Sequence, residues 1–111
     1  MMAEDIYEAA IRMMLESYGV ERLFDSFKES SFHVIRLQKY RTRTVHENSN
    51  DDDFGLGFRP HEDSNFLTIL HENSVNGLEI KTKDGQWIDV KPTSSASFIV
   101  LAGNVLTVCD I

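Results

Sequence analysis

Among the residues able to do chemistry, His61 and Asp63 come first, in the run Arg59-Pro60-His61-Glu62-Asp63. On extended backbone, residues two apart point to the same side. One imidazole and one carboxylate placed in this way can fill two neighbouring positions around a metal ion. A facial triad of two histidines and one carboxylate needs this pair plus a further histidine, and leaves three positions for substrate and oxygen. His-x-Asp alone also occurs by chance in many proteins, so its surroundings decide its weight.

The other ligating residues offer less. His71 lies eight residues after Asp63; on a continuous strand at ~3.3 Å per residue that is ~26 Å, too far to share a metal. His33 is expected on the strand face opposite Tyr40. His46 falls in a polar stretch and stays a candidate. Cys109 reads better as a small buried apolar side chain than as a ligand. Asn65, Phe66 and Thr68 either border the site or pack within a strand, and both readings stand.

The elements that must position these residues fall into three parts. Residues 4–29 read as helix, with Tyr7, Ile11, Met14, Leu15 and Tyr18 on one face and Gly19 as a C-terminal stop. A second short helical stretch, residues 20–28, carries Val20, Leu23, Phe24 and Phe27. This Met and aromatic stripe reads as core packing against a sheet rather than as a cofactor contact. Residues 32–40 read as a strand, with Phe32, Val34, Arg36, Gln38 and Tyr40 on one face and His33, Ile35, Leu37 and Lys39 on the other. The polar run that follows, ending in Asp51, Asp52 and Asp53, reads as a solvated loop; it lacks the spaced ligands and closing Glu of an EF-hand. From Phe54 onward the pattern is β. Short strands are expected at 65–70, 77–82, 86–90, 98–102 and 105–108, with Lys83-Asp84-Gly85 as a hairpin turn and Gly103-Asn104 as another. The expected fold is therefore mainly β with an N-terminal helix (α+β), a partial jelly roll. The division is 1–30 for a helical segment packing on the core and 31–111 for the partial jelly-roll domain.

Composition sets the outer limits. The 111 residues, 41% hydrophobic and 26% charged, suit one small soluble domain. A net charge of −7 argues against nucleic acid or an anionic membrane surface as a partner. One cysteine permits no internal disulfide and fits a reducing compartment. The acidic start has no apolar stretch of signal-peptide type, and no apolar run approaches the ~18 residues of a membrane span, so a cytoplasmic location is expected.

Several ordered motifs surround His61 and Asp63. Gly55-Leu56-Gly57 precedes Pro60-His61-Glu62-Asp63, and Phe66-Leu67-Thr68-Ile69-Leu70 follows. Then come Val75-Asn76-Gly77-Leu78, Asp84-Gly85-Gln86-Trp87, and Phe98-Ile99-Val100-Leu101-Ala102-Gly103-Asn104. In this order and near this spacing they resemble the plant-type 2-oxoglutarate- and Fe(II)-dependent dioxygenases (isopenicillin N synthase-like). That family shows a GLGxHxD approach, an FLTIL strand, a DGxW hairpin and an F-x-V-x-x-GD turn. Residues Met13 to Val20, then Arg36 to Tyr40, resemble the family's helix and strand before the core. Within the family the chain is similar to plant oxygenases of small metabolites, such as auxin oxidases and glucosinolate side-chain enzymes, an expectation of plant secondary metabolism.

The resemblance implies an oxidoreductase fold and a cofactor set: Fe(II), 2-oxoglutarate, and ascorbate as reductant. The family's reaction divides O₂ between 2-oxoglutarate, which becomes succinate and CO₂, and a small-molecule substrate. It implies metal ligation by His61 and Asp63. It places Tyr40 where the family has a tyrosine lining the 2-oxoglutarate pocket, although the usual Asn and Pro around that tyrosine are replaced here by Gln38, Lys39 and Arg41. No residue is assigned as catalytic. The family's distal iron histidine and its Arg-x-Ser clamp on 2-oxoglutarate are expected beyond Ile111. The chain is accordingly expected to be truncated at both ends: a truncated gene product, a splice form or an incomplete gene model. The alternative function is an inactive product acting, if at all, as an interaction fragment, with self-association through exposed strand edges.

Overall fold

The computed structural model describes residues 2–40, 57–73 and 75–109. Helix α1, Met2–Ser17, opens with Glu4 and Asp5 in its first turn, where carboxylates complement the helix dipole. It ends as its sequence predicts. Gly19 adopts φ 68°, its N–H donates to the Glu16 carbonyl (2.9 Å), and the Val20 N–H donates to the Leu15 carbonyl (2.9 Å). This paired arrangement caps the last carbonyls and needs a residue that tolerates positive φ. A single 3-10 turn, Glu21–Leu23, leads into α2, Phe24–Ser30. The stop at Gly19 and the second short helical stretch are thus present as expected, and the two helices meet at a corner.

That corner encloses the core. Ile11, Leu15 and Phe24 are buried, with Ile11 only 1% exposed, and Tyr7, Met14, Val20, Phe27 and Leu67 pack around them. The Arg12 guanidinium lies 3.6 Å from the centre of the Phe24 ring, a cation–π contact across the two helices. Lys28 and Glu8 form an ion pair across the same junction.

Four strands are present among the described residues, in two antiparallel pairs. β1, Leu67–Leu70, pairs with β4, Ile99–Ala102, with Leu67 opposite Ala102 and Leu70 opposite Ile99. β2, Glu79–Lys81, pairs with β3, Trp87–Asp89. The hairpin turn between β2 and β3 falls on the expected residues. Gly85 sits at φ 89°, its N–H donates to the Thr82 carbonyl (2.9 Å), and the Thr82 N–H donates to the Gln86 carbonyl (2.7 Å). The architecture is mixed α+β, and no helix is long and apolar enough to cross a membrane.

Two expectations are corrected. Residues 32–40 form no strand. Phe32, Val34, Ile35 and Leu37 are 74–94% exposed, and no ladder hydrogen bond joins this segment to another among the described residues. An apolar alternation becomes a strand only when a neighbour supplies the ladder and the covered face. Residues 105–108 are helical, within α3, Asn104–Cys109. Val105, Thr107 and Val108 are of the β-branched types that favour strands, but the amides at the preceding corner are already committed. Gly103, Asn104 and Val105 donate to the carbonyls of Phe66 (2.8 Å), Asp63 (2.8 Å) and Asn65 (3.4 Å). The chain is turned there and closes into a helical turn, with Leu106 N–H on the Gly103 carbonyl at 3.2 Å.

Candidate metal centre

His61 and Asp63 lie in the irregular segment that leads from Gly57 to β1. The imidazole is held from two sides. Its Nδ1 lies 2.9 Å from the carbonyl oxygen of Arg59, and the Phe58 ring meets it edge-on, with centroids 4.6 Å apart and an interplanar angle of 74°. A carbonyl oxygen only accepts, so Nδ1 carries the proton and Nε2 of the neutral ring keeps its lone pair. Nε2 faces Asp63 Oδ1 at 3.2 Å.

Two acceptor atoms this close repel unless a proton or a cation lies between them. The arrangement therefore suits an imidazolium–carboxylate pair, or two adjacent ligands of one divalent ion. The separation is compatible with both: N–H···O bonds reach ~3.2 Å, and ligand atoms ~2.1 Å from a metal and at right angles to each other are about 3.0 Å apart. Both side chains stay open to incoming groups, 52% and 32% exposed. The pair can hold a divalent metal by one nitrogen and one oxygen and leave its other positions free.

The second oxygen of Asp63 is already engaged. Oδ2 accepts a hydrogen bond from the Thr68 hydroxyl, and Thr68 Oγ1 in turn accepts one from Asn65 Nδ2 at 2.9 Å. The Asp63 carbonyl accepts the Asn104 amide, so the α3 corner pins the backbone beneath the carboxylate. The corner has no room for a side chain: a Cβ on Gly103 would overlap the backbone oxygen and Oδ1 of Asn65.

The structure brings Tyr40 to the approach segment. A Cβ on Gly57 would lie 2.6 Å from Tyr40 Cδ1, so the ring rests on that glycine. The Tyr40 hydroxyl donates to Gln38 Oε1 at 3.3 Å. The remaining histidines are elsewhere. The His33 ring packs edge-on against Tyr7, with centroids 4.6 Å apart, and His71 Nδ1 lies 3.2 Å from the Ser97 carbonyl beside Phe98. His46, Asp51, Asp52 and Asp53 lie outside the described residues, as does the Cys109 side chain. Among the described residues no group of three ligating side chains comes together.

The sequence singled out His61 and Asp63 as candidates but left open the residues that hold them in place. Asn65 and Thr68 belong to the site through hydrogen bonds, whereas Phe66 packs away from it, edge-on against Phe27 with centroids 4.8 Å apart. Polar residues two and five positions past an aspartate were the available signal. Gly103 at the end of an apolar strand was another, since glycine there often marks a close backbone approach.

Comparison with known proteins gives this geometry its context. The chain is 43% identical over 95 residues to the probable 2-oxoglutarate-dependent dioxygenase AOP1 of Arabidopsis thaliana, a match covering 86% of the chain and 29% of that relative. It is 44% identical over 62 residues to the probable inactive 2-oxoglutarate-dependent dioxygenase AOP2 of the same plant, covering 56% of the chain and 15% of the relative. Gibberellin 2-beta-dioxygenase 3 of Arabidopsis thaliana is 45% identical over 53 residues, covering 48% of the chain and 16% of the relative. The chain thus spans less than a third of the length of these relatives. No solved structure matches it. The family model of the 2OG-Fe(II) oxygenase superfamily matches residues 31–110, a span that takes in the segment of His61 and Asp63 and both strand pairs, and the chain belongs to that superfamily.

Proposed function

We propose that this chain supplies the His-x-Asp arm of the iron centre of a 2-oxoglutarate-dependent dioxygenase acting on a small metabolite, with His61 and Asp63 as iron ligands. One observation carries the reading. His61 Nδ1 is tied to the Arg59 carbonyl, which leaves the Nε2 lone pair facing Asp63 Oδ1 at the spacing of two adjacent ligands. Metal-bound histidines commonly donate their other ring N–H to a carbonyl in this way. Tyr40 is read as lining the 2-oxoglutarate side of the centre, and the closeness of its ring to Gly57, in the approach to His61, supports that reading.

Fe(II), when bound with 2-oxoglutarate, supplies the oxidising chemistry. What the chain's own residues do is hold one nitrogen and one oxygen in fixed relation and leave the remaining positions open. Ascorbate belongs to the reading as the reductant that keeps the iron ferrous. The two strand pairs are read as part of a larger jelly roll, with residues 1–30 as a helical segment packed on it and 31–111 as the partial domain. The single cysteine supports a cytoplasmic location, and the net charge of −7 supports a small-molecule substrate over nucleic acid or membrane.

A second reading rests on a specific observation: no third ligand joins His61 and Asp63 among the described residues. On that reading the 111-residue chain by itself is inactive and acts, if at all, as an interaction piece, meeting its partners or a second copy through exposed apolar segment and strand edges.

Calorimetric titration with Co²⁺ or Ni²⁺, which this donor set holds more tightly than Fe²⁺, tests the site. Wild type is compared with His61→Ala, Asp63→Ala and His46→Ala. Weak binding lost only in the first two supports the assignment; binding unchanged in those two contradicts it. Succinate release from 2-oxoglutarate with Fe(II) and ascorbate then separates the readings. Release no higher than in the His61→Ala control favours the inactive one.

A further inference from the structure

We propose that Thr68 is a positioning residue that holds Asp63 as a one-oxygen metal ligand, and that Asn65 and Gly103 set the direction of its hydroxyl. The inference rests on His61 and Asp63 being the metal pair.

An ionised Asp63 carboxylate can only accept, so the contact between Thr68 Oγ1 and Asp63 Oδ2 requires the hydroxyl to donate to the carboxylate. The hydroxyl has a single proton. Its other neighbour must therefore be a donor, and Asn65 offers Nδ2 at 2.9 Å. The relay runs one way, from the Asn65 amide through the Thr68 hydroxyl to Asp63 Oδ2. That leaves Oδ1, 3.2 Å from His61 Nε2, as the oxygen free for a metal.

Each member of the relay is fixed by the fold. Thr68 lies in β1, opposite Leu101 of β4, so the sheet sets its backbone. Asn65 is pressed against Gly103, where any Cβ would overlap its backbone oxygen and its Oδ1. The amides of Asn104 and Val105 hold the carbonyls of Asp63 and Asn65. The β4–α3 corner thus positions the carboxylate from behind. The chemical consequence is economy of ligand positions. A carboxylate with one oxygen tied down occupies a single position, whereas a free one can swing to occupy two. An open ferrous centre needs its remaining positions for co-substrate and oxygen.

The test uses the 111-residue chain and Ni²⁺ binding by calorimetry, with far-UV circular dichroism and thermal melting to follow the fold. Thr68→Val keeps the shape and removes the hydroxyl; it should weaken Ni²⁺ binding about 10-fold, the scale of an outer-shell loss. Thr68→Ser keeps the hydroxyl and should stay close to wild type. Asn65→Ala, at an exposed position, should show a smaller loss with the fold intact, which guards against a Thr68→Val variant that does not fold. Equal losses in Thr68→Val and Thr68→Ser would overturn the role of the hydroxyl. If His61→Ala and Asp63→Ala abolish binding while Thr68→Val and Asn65→Ala bind as wild type, the positioning role is wrong and the metal pair stands. If His61→Ala and Asp63→Ala bind as wild type, the metal pair itself is wrong and the inference falls with it.

Discussion

Residues 32–37 and β1, Leu67–Leu70, are both short runs dominated by large apolar side chains. In the first, Leu37 is 94% exposed and the segment forms no strand. In the second, every residue is partly covered, the backbone is laddered to β4, and Leu67 reaches the cluster of Ile11, Leu15 and Phe24. The difference is not in propensity, because Val34 and Ile35 favour strands as much as Ile69 does. It lies in the partners. A strand is a property of a pair, and only β1 has both a ladder on one edge and a helical core on one face. The candidate metal centre follows the same division: Asp63 is held at the end of the segment that is anchored.

Breaking the anchored side should cost the most. Ile11→Ala, at a position 1% exposed, removes core volume and should destabilise the chain by ~2–5 kcal/mol. Leu37→Ala removes a comparable side chain at a position 94% exposed and should change stability by less than ~0.5 kcal/mol. Urea unfolding of the two variants measures the contrast; similar losses would mean that residues 32–40 are packed after all.

The exposed segment sharpens the comparison from the other direction. Unpaired apolar segments associate, so wild type should form oligomers as its concentration rises. Ile35→Lys combined with Leu37→Lys should shift sedimentation toward monomer with little change in the melting temperature. Unchanged association in the double variant would place the contact elsewhere.

The smallest effect concerns the helical corner itself. Hydrogen bonding to Lys28 holds the Glu8 carboxyl below its ordinary range, and the same contact raises the Lys28 ammonium. A carboxyl whose folded value is lowered adds stability that is present above its unfolded value and is lost as pH falls through the folded one. Glu8→Gln should therefore be slightly less stable than wild type near neutral pH, and the gap should close in acid. Both groups face solvent, so the gap is small and shrinks with salt. A gap that widens in acid would reverse the assigned sign.

Much of this was readable from residue order. The helix stop at Gly19, the hairpin at Lys83-Asp84-Gly85 and the pairing-prone runs around Leu67 and Ile99 each carry a local signal in turn chemistry or alternation. What was not readable depends on distant partners. Residues 32–40 alternate as a strand does but find no ladder among the described residues, and Val105, Thr107 and Val108 enter a helix because the corner at Gly103 is already hydrogen-bonded. The site divides in the same way. His61 and Asp63 stand out as candidates by type and spacing, while their contacts with the Arg59 carbonyl and the Thr68 hydroxyl, and the close approach at Gly103, depend on geometry that residue types do not encode.

The central claim is that His61 presents its Nε2 lone pair, beside Asp63 Oδ1, to a divalent metal. Long-range ¹H–¹⁵N correlation spectra of the histidine side chains, recorded at mildly alkaline pH during a Zn²⁺ titration, test it most directly. The account predicts that metal-free His61 is the Nδ1–H tautomer and that Zn²⁺ moves its Nε2 resonance before those of His33, His46 and His71, an effect abolished in Asp63→Ala. A metal-free Nε2–H tautomer at His61, or a Zn²⁺ response confined to His46, would contradict it.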